Sequence, residues 1–294
     1  MNLAKQLKDR LPYPFEIIAV AVTFSPRYKA VIREAARLSR LYRAKLLLIY
    51  VGELTHEEKA KLERCVDACH IKSKYYQIVD VQGDVVSTIM RVCKEHVVDL
   101  LVLGALKKET VLQHYVGTIA RKISRTAKCS ILLIPDPKER PLTFDRVVVS
   151  AVDSAKTPLT IASAIYVANM EDAQELFIVN EEYIPMFESA YADSSTDEEI
   201  ESRKSDFIKE CKTKVSAILD DIPGASSITI KQRVIFGKPG HSIQVFAKSK
   251  NPDLLLVNSP KKSLGILDRL FPHDLEYLLE DLPCNLLIVH SRGF

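Results

Sequence analysis

The 294-residue chain carries 27% charged and 47% hydrophobic residues, a formal net charge of +3 and six cysteines. Its length suits two domains of about 150 residues, each able to bury a core of its own. Cysteines without close pairing argue against a secreted disulfide framework, and no apolar run reaches membrane-spanning length, so a cytoplasmic protein is expected. The charge is uneven: residues 1–140 hold 25 Lys/Arg against 15 Asp/Glu, and the remainder holds 16 against 23. The two halves should therefore attract each other, and the basic half could also gather anions.

In chain order, Leu3, Leu7 and Leu11 with Lys5, Lys8 and Arg10 predict a short docking arm over residues 1–14. Three leucines offer too little apolar area for a membrane anchor. Apolar runs nearly unbroken by polar residues then predict strands at Ile17–Val22, Lys45–Val51, Tyr75–Val81, Leu100–Leu103 and Ser130–Ile134. The second half predicts Arg146–Val152, Glu175–Val179, Ile228–Phe236, Leu254–Val257 and Asn285–Val289. Runs rich in Val, Ile and Leu suit strands covered on both faces, as in a parallel sheet. Residues 27–43, 84–96 and 118–127 read as helices between them. In residues 27–43, Ile32, Ala35, Ala36 and Leu38 share one side, with Arg33, Arg37 and Arg40 on another. Without interleaved aromatics the arginine face reads as a solvated surface, and nucleic acid is not an expected partner. The alternation predicts an α/β fold: two doubly wound, five-stranded parallel-sheet domains with helices on both faces. Three prolines between Pro135 and Pro141 mark a linker. The expected domains are 15–135 and 143–290, joined by 136–142.

The halves repeat one another. Gly83-Asp84 precedes Asp99-Leu-Leu-Val-Leu-Gly104, and Gly237-Lys238 precedes Asp253-Leu-Leu-Leu-Val-Asn258 at the same spacing. Cys129-Ser-Ile-Leu-Leu-Ile and Cys284-Asn-Leu-Leu-Ile-Val close the two copies. A period of about 150 residues is a duplicated domain, not a solenoid repeat. The second copy is longer by an acidic insertion over about 181–204, where Ser195 or Thr196 could cap a helix with Glu198 and Glu199 near its start.

These elements resemble the universal stress protein family, and the likeness covers nearly all of both halves, as a tandem member would. The resemblance implies pairing of the halves through their last strands, Ser130–Ile134 and Asn285–Val289, as an intramolecular pseudo-dimer. It leaves a homodimer and an unidentified protein partner open. Burying such apolar edge strands also removes an aggregation hazard.

Nucleotide-binding members of the family carry Gly-x-x-Gly, nine residues, then Gly with Ser or Thr. The glycines let backbone approach phosphate, and the last one opens a helix whose free amides face an anion. The first half has Gly104-Ala-Leu-Lys107, residues 108–116, then Gly117-Thr118. Lys107 replaces the second glycine, where its side chain could obstruct the loop or, with Lys108, neutralise phosphate charge. Val22-Thr23-Phe24-Ser25 puts Thr23 where the family commonly has a carboxylate at the end of strand one. The resemblance thus implies one adenine nucleotide, ATP or AMP, in the first half. Thr23 and Val51 would lie near the base or ribose, and Gly104, Lys107, Gly117 and Thr118 near phosphate.

The second half keeps Asp153 but has Asn258-Ser-Pro-Lys261 and Phe271-Pro272-His273-Asp274 in place of the glycines, which closes it to phosphate. Gly237-Lys-Pro-Gly240-His241 reads as turn chemistry, since it matches the turn at Gly83. Cys65, Cys69 and His70 lack the further ligands of a metal site. No general base or water-orienting residue for ATP hydrolysis is identifiable. A regulatory or sensing module without turnover is expected, and the alternative is an interaction scaffold whose two degenerate sites bind no nucleotide.

Overall fold

The computed structural model describes residues 12–107, 114–182, 197–260 and 274–290. In the first half the strands are β1 (Ile17–Val22), β2 (Lys45–Val51), β3 (Tyr76–Val81), β4 (Leu100–Gly104), β5 (Leu106–Lys107), β6 (His114–Tyr115) and β7 (Ser130–Ile134). The second half supplies β8 (Arg146–Ser150), β9 (Glu175–Glu182), β10 (Ile230–Phe236), β11 (Leu254–Asn258) and β12 (Asn285–Val289). The helices are α1 (Tyr28–Leu41), α2 (His56–Asp67), α3 (Val85–Glu95), α4 (Thr118–Thr126), α5 (Thr157–Glu171), α6 (Asp197–Asp220), α7 (His241–Lys250) and α8 (Asp274–Glu280).

Ten strands form one sheet in the order β10-β9-β8-β11-β12-β7-β4-β1-β2-β3. Neighbours within each half are parallel, and the halves meet where β7 and β12 run antiparallel, with Leu286 opposite Leu133 and Ile288 opposite Ile131. All five residues of β7 are buried, as an interior strand covered on both faces requires. One face of the sheet packs under α1, α2, α5 and α6 through Ile32, Leu62, Ile161 and Val215. The other packs under α3, α4, α7 and α8 through Ile89, Ile123, Ile243 and Leu278. Both cores run across the junction between the halves.

The repeated sequence signals have structural causes. Asp99 is almost fully buried at the foot of β4, and its Oδ2 accepts from the backbone amides of Glu16 (2.6 Å) and Ile17 (2.9 Å). Asp253 does the same for the Arg146 amide at 2.9 Å. Each aspartate thus accepts from backbone donors where the first strand of its half begins. Gly83 and Gly237 have φ of +144° and +143°, which side chains rarely adopt, and a Cβ at Gly83 would come 2.5 Å from Thr88 Oγ1.

Several boundaries differ from the sequence reading. Arg146–Val152 was too long, because β8 ends at Ser150, whereas β9 continues three residues beyond Val179 to Glu182. The sequence pattern did not single out α2, whose start is fixed by a capping box between Thr55 and Glu58. It also missed the β5–β6 ribbon, in which Leu106 pairs with Tyr115 and Lys107 with His114. Residues 1–11 of the docking arm, with its three leucines, and Lys108, Ser195, Thr196, Lys261, Phe271, Pro272 and His273 lie outside the described residues.

Candidate functional site

In each half the chain passes from the first strand to the strands on one side, then returns to place the fourth strand on the other. In the first half this reversal falls between β1 and β4, the position where open parallel sheets hold ligands. A cavity of about 940 Å³ lies there, close to the upper end of the roughly 300–1,000 Å³ usual for ligand pockets. Of the six sequence-predicted residues, Thr23, Val51, Gly104 and Gly117 line it. Thr118 opens α4 but is exposed and outside the lining. The Lys107 backbone belongs to β5, and its side chain falls outside the described residues.

The strands supply an apolar floor that includes Val20, Ile49 and Leu103. At the mouth, Phe24 packs against Tyr28 and Tyr50 with ring centroids 5.3 and 5.7 Å away. Gly104 ends β4, and a Cβ there would meet Val31 Cγ2 at 3.0 Å, so glycine permits the close approach of α1. Gly117 caps α4 with an ordinary φ of −61°, with no side chain bonded across the cap and no acidic residue in the first turn. The N-terminus of this helix therefore presents its partial positive charge toward the cavity, with no carboxylate in its own first turn to offset it.

Two charged lining residues escaped the sequence reading. Arg27 precedes α1 and donates from Nη1 to the Pro135 carbonyl at 3.3 Å, while Pro137 of the linker also lines the cavity. Glu58 accepts from the Thr55 amide (2.9 Å) and hydroxyl (2.8 Å), bonds that hold its carboxyl below the usual range. Arg27 sits in no recognisable motif, and the capping box of Glu58 marks a helix start rather than a site, since each reaches the cavity only through the fold.

The second half is built differently at the equivalent place. Lys156 Nζ donates to the Ser259 carbonyl (2.9 Å), the Ser259 hydroxyl (2.8 Å) and the Pro260 carbonyl (3.0 Å). Asn258 and Thr160 hydrogen-bond as well, so side chains of α5 and the residue before it knit to the end of β11. The tempting Gly237–His241 segment is occupied from within: Glu181 Oε1 accepts from the amides of Gly240 (3.0 Å) and Ile243 (2.8 Å) at the start of α7. A buried carboxylate there excludes phosphate.

Asp153 is not the counterpart of Thr23. The Asp99 amide donates to the Ile17 carbonyl, and the Asp253 amide donates to that of Arg146, so Ile17 and Arg146 are equivalent. Counting forward pairs Thr23 with Val152 and Phe24 with Asp153. A one-residue shift changes the side on which a strand-end residue emerges. The Asp153 side chain is 92% exposed and faces Lys214 of α6 at 3.6 Å.

The cysteines are free thiols, and among the described residues no three His, Cys, Asp or Glu side chains cluster as a metal site. Cys65 and Cys69 are buried, with Cys69 Sγ donating to the Cys65 carbonyl at 3.2 Å. Among the described residues no helix is long and apolar enough to cross a membrane.

Residues 51–135 match the model of the universal stress protein family. The chain carries a universal stress protein domain. The matched span includes Gly104 and Gly117 and begins beyond Thr23 and Phe24. A universal stress protein from Archaeoglobus fulgidus superposes with a TM-score of 0.68 at 15% identity, covering 96% of this chain and 100% of its own. A protein of unknown function from Pseudomonas aeruginosa superposes at 0.71 and 14%, covering 95% and 93%. The cytoplasmic domain of a prokaryotic cation chloride cotransporter gives 0.51 and 11%, covering 96% and 97%. At these identities the likeness is one of fold, and function has to be argued from the site. No curated protein matches the sequence.

Proposed function

We propose that this universal stress protein is a cytoplasmic regulatory module that binds one adenine nucleotide, ATP or AMP, in its first half and does not turn it over. The observation that carries the reading is the cavity between β1 and β4, with Gly104 and Gly117 on its wall and the uncapped N-terminus of α4 beside it. The base packs against the apolar floor near Val51 and the Phe24, Tyr28 and Tyr50 rings. The phosphates lie toward Gly117 and the α4 amides, with Arg27 as counter-charge. Thr23 offers one hydroxyl to the ribose, so sugar recognition is weaker than a carboxylate would give. Domains bounded near 15–135 and 143–290 divide the work, the first binding and the second supporting.

Calorimetric titration with ATP, ADP and AMP tests this reading, repeated with Gly117→Asp. A carboxylate at that cap should abolish phosphate-dependent binding. No heat at millimolar nucleotide would favour a nucleotide-free interaction scaffold, and binding indifferent to Gly117→Asp would move the site elsewhere.

A further inference from the structure

The wall of the cavity nearest α4 is held by the second half of the chain. Val116, the residue before Gly117, donates its amide to the Leu279 carbonyl of α8 at 3.1 Å. Arg121, one turn into α4, donates from Nε to the Val116 carbonyl (2.9 Å), from Nη2 to the Leu279 carbonyl (3.1 Å) and from Nη1 to Glu276 Oε2 (3.1 Å). Its own amide donates to the Gly117 carbonyl at 2.9 Å. Arg125 completes the set, with Nε 2.9 Å from Glu276 Oε1. Gly117 is therefore bracketed by two residues that are both fastened to α8.

The clamp joins equivalent positions of the two copies. Ile123, Ser124 and Ala127 are buried in the first half, and Leu278, Leu279 and Leu282 in the second, at one constant spacing that continues into β7 and β12. At that spacing Glu276 is the counterpart of Arg121. Two copies of either half pairing in the same way would set Arg121 against Arg121 or Glu276 against Glu276. Only the unlike pairing supplies opposite charges.

We infer that Arg121 and Glu276 are positioning residues for the first-half cavity, so that the second half completes the nucleotide site and ligand affinity is coupled to the docking of α8. The inference rests on the reading of that cavity as a nucleotide site. A planar guanidinium fits the role because it serves two carbonyls and a carboxylate at once in fixed directions. Coupling is reciprocal: nucleotide that tightens the α4 cap also tightens α8.

The test is Glu276→Gln in the full chain, which removes the charge and keeps the shape. In protein without nucleotide, amide hydrogen exchange over residues 116–121 should accelerate in the variant, and titration with ATP and AMP should show affinity reduced roughly three- to tenfold. Arg121→Lys, which keeps the charge but gathers its donors on one nitrogen and so cannot reach acceptors that Nε, Nη1 and Nη2 meet separately, should show the same two effects. Unchanged exchange over 116–121 overturns the clamp, and faster exchange with unchanged affinity overturns the coupling. If the parent protein binds no nucleotide the cavity reading fails by itself, while the exchange comparison still decides whether Glu276 holds the α4 cap.

Discussion

His290 follows β12 and is buried at the junction of the halves, with its ring against the Ser124 carbonyl of α4 and its amide donating to Ser130 Oγ at 3.3 Å. Its Nε2 is buried and has no hydrogen-bond partner among the described residues. Burial, followed by the nearby charges of Lys156 and Lys128, lowers its pKa from 6.5 to about 3; the Ser124 carbonyl opposes them only in part. The folded-state pKa lies below the unfolded one, so the unfolded chain binds the extra proton. The stability that neutral His290 allows is complete above pH 6.5 and is lost as pH falls through 6.5 toward 3. Each pH unit in that window costs about 1.4 kcal/mol, so acidification from pH 8 to pH 5 should cost about 2 kcal/mol through this residue. His290→Gln stays neutral throughout. Urea unfolding of both proteins at pH 8, 7, 6 and 5 should show the parent losing about 2 kcal/mol more than the variant over that range. Contributions of all other groups are common to both chains and cancel. Parallel pH dependences would refute the reasoning.

Asp99→Ala should destabilise by about 2–4 kcal/mol, because two backbone amides lose their acceptor in a buried place. Asp253→Ala should cost less in the same urea titration, since among the described residues only the Arg146 amide is bonded to that carboxylate. Arg37→Met should cost about 3–5 kcal/mol, because Glu171, whose side chain is 0% exposed, and the nearly buried Glu34 would lose the guanidinium that pairs them. A loss under 1 kcal/mol would mean that water replaces Arg37 at the junction.

The sheet was legible because its signal is redundant: ten apolar runs of strand length, most of them nearly unbroken, have one economical arrangement. Gly83 and Gly237 were legible for a related reason, since a required positive φ leaves glycine in both copies. The candidate site was legible only where it follows the chain, at Thr23, Val51, Gly104 and Gly117. Arg27 and Glu58 were invisible because they reach the cavity from elements whose sequence neighbours serve other purposes. The β5–β6 ribbon was missed because two residues cannot establish a strand period. Asp153 misled because equal composition at a strand end conceals register, and only the hydrogen bonds of Asp99 and Asp253 fix the count.

The junction explains why the copies have diverged in charge while keeping the same sheet. The spacing that makes Ile17 and Arg146 equivalent also pairs Arg37 with Tyr166, Tyr42 with Glu171 and Phe15 with Phe144. Arg37 bonds Glu171 at 2.7 Å, and the symmetry-related contact is Tyr166 stacked on Tyr42 with centroids 5.5 Å apart. Arg37 also lies over the Phe144 ring at 4.9 Å, and its counterpart is Tyr166 against Phe15 at 5.8 Å. An identical dimer must repeat the same residue pair in both of two symmetry-related contacts. Fusing the copies releases that constraint, so one end can carry a buried charge pair and the other an aromatic stack. The basic first half and acidic second half follow from the same release, with Arg37–Glu171, Arg121–Glu276 and Arg125–Glu276 all running from base in the first to acid in the second. Pairing of unlike halves is favoured by these charges, and pairing of like halves is opposed by them.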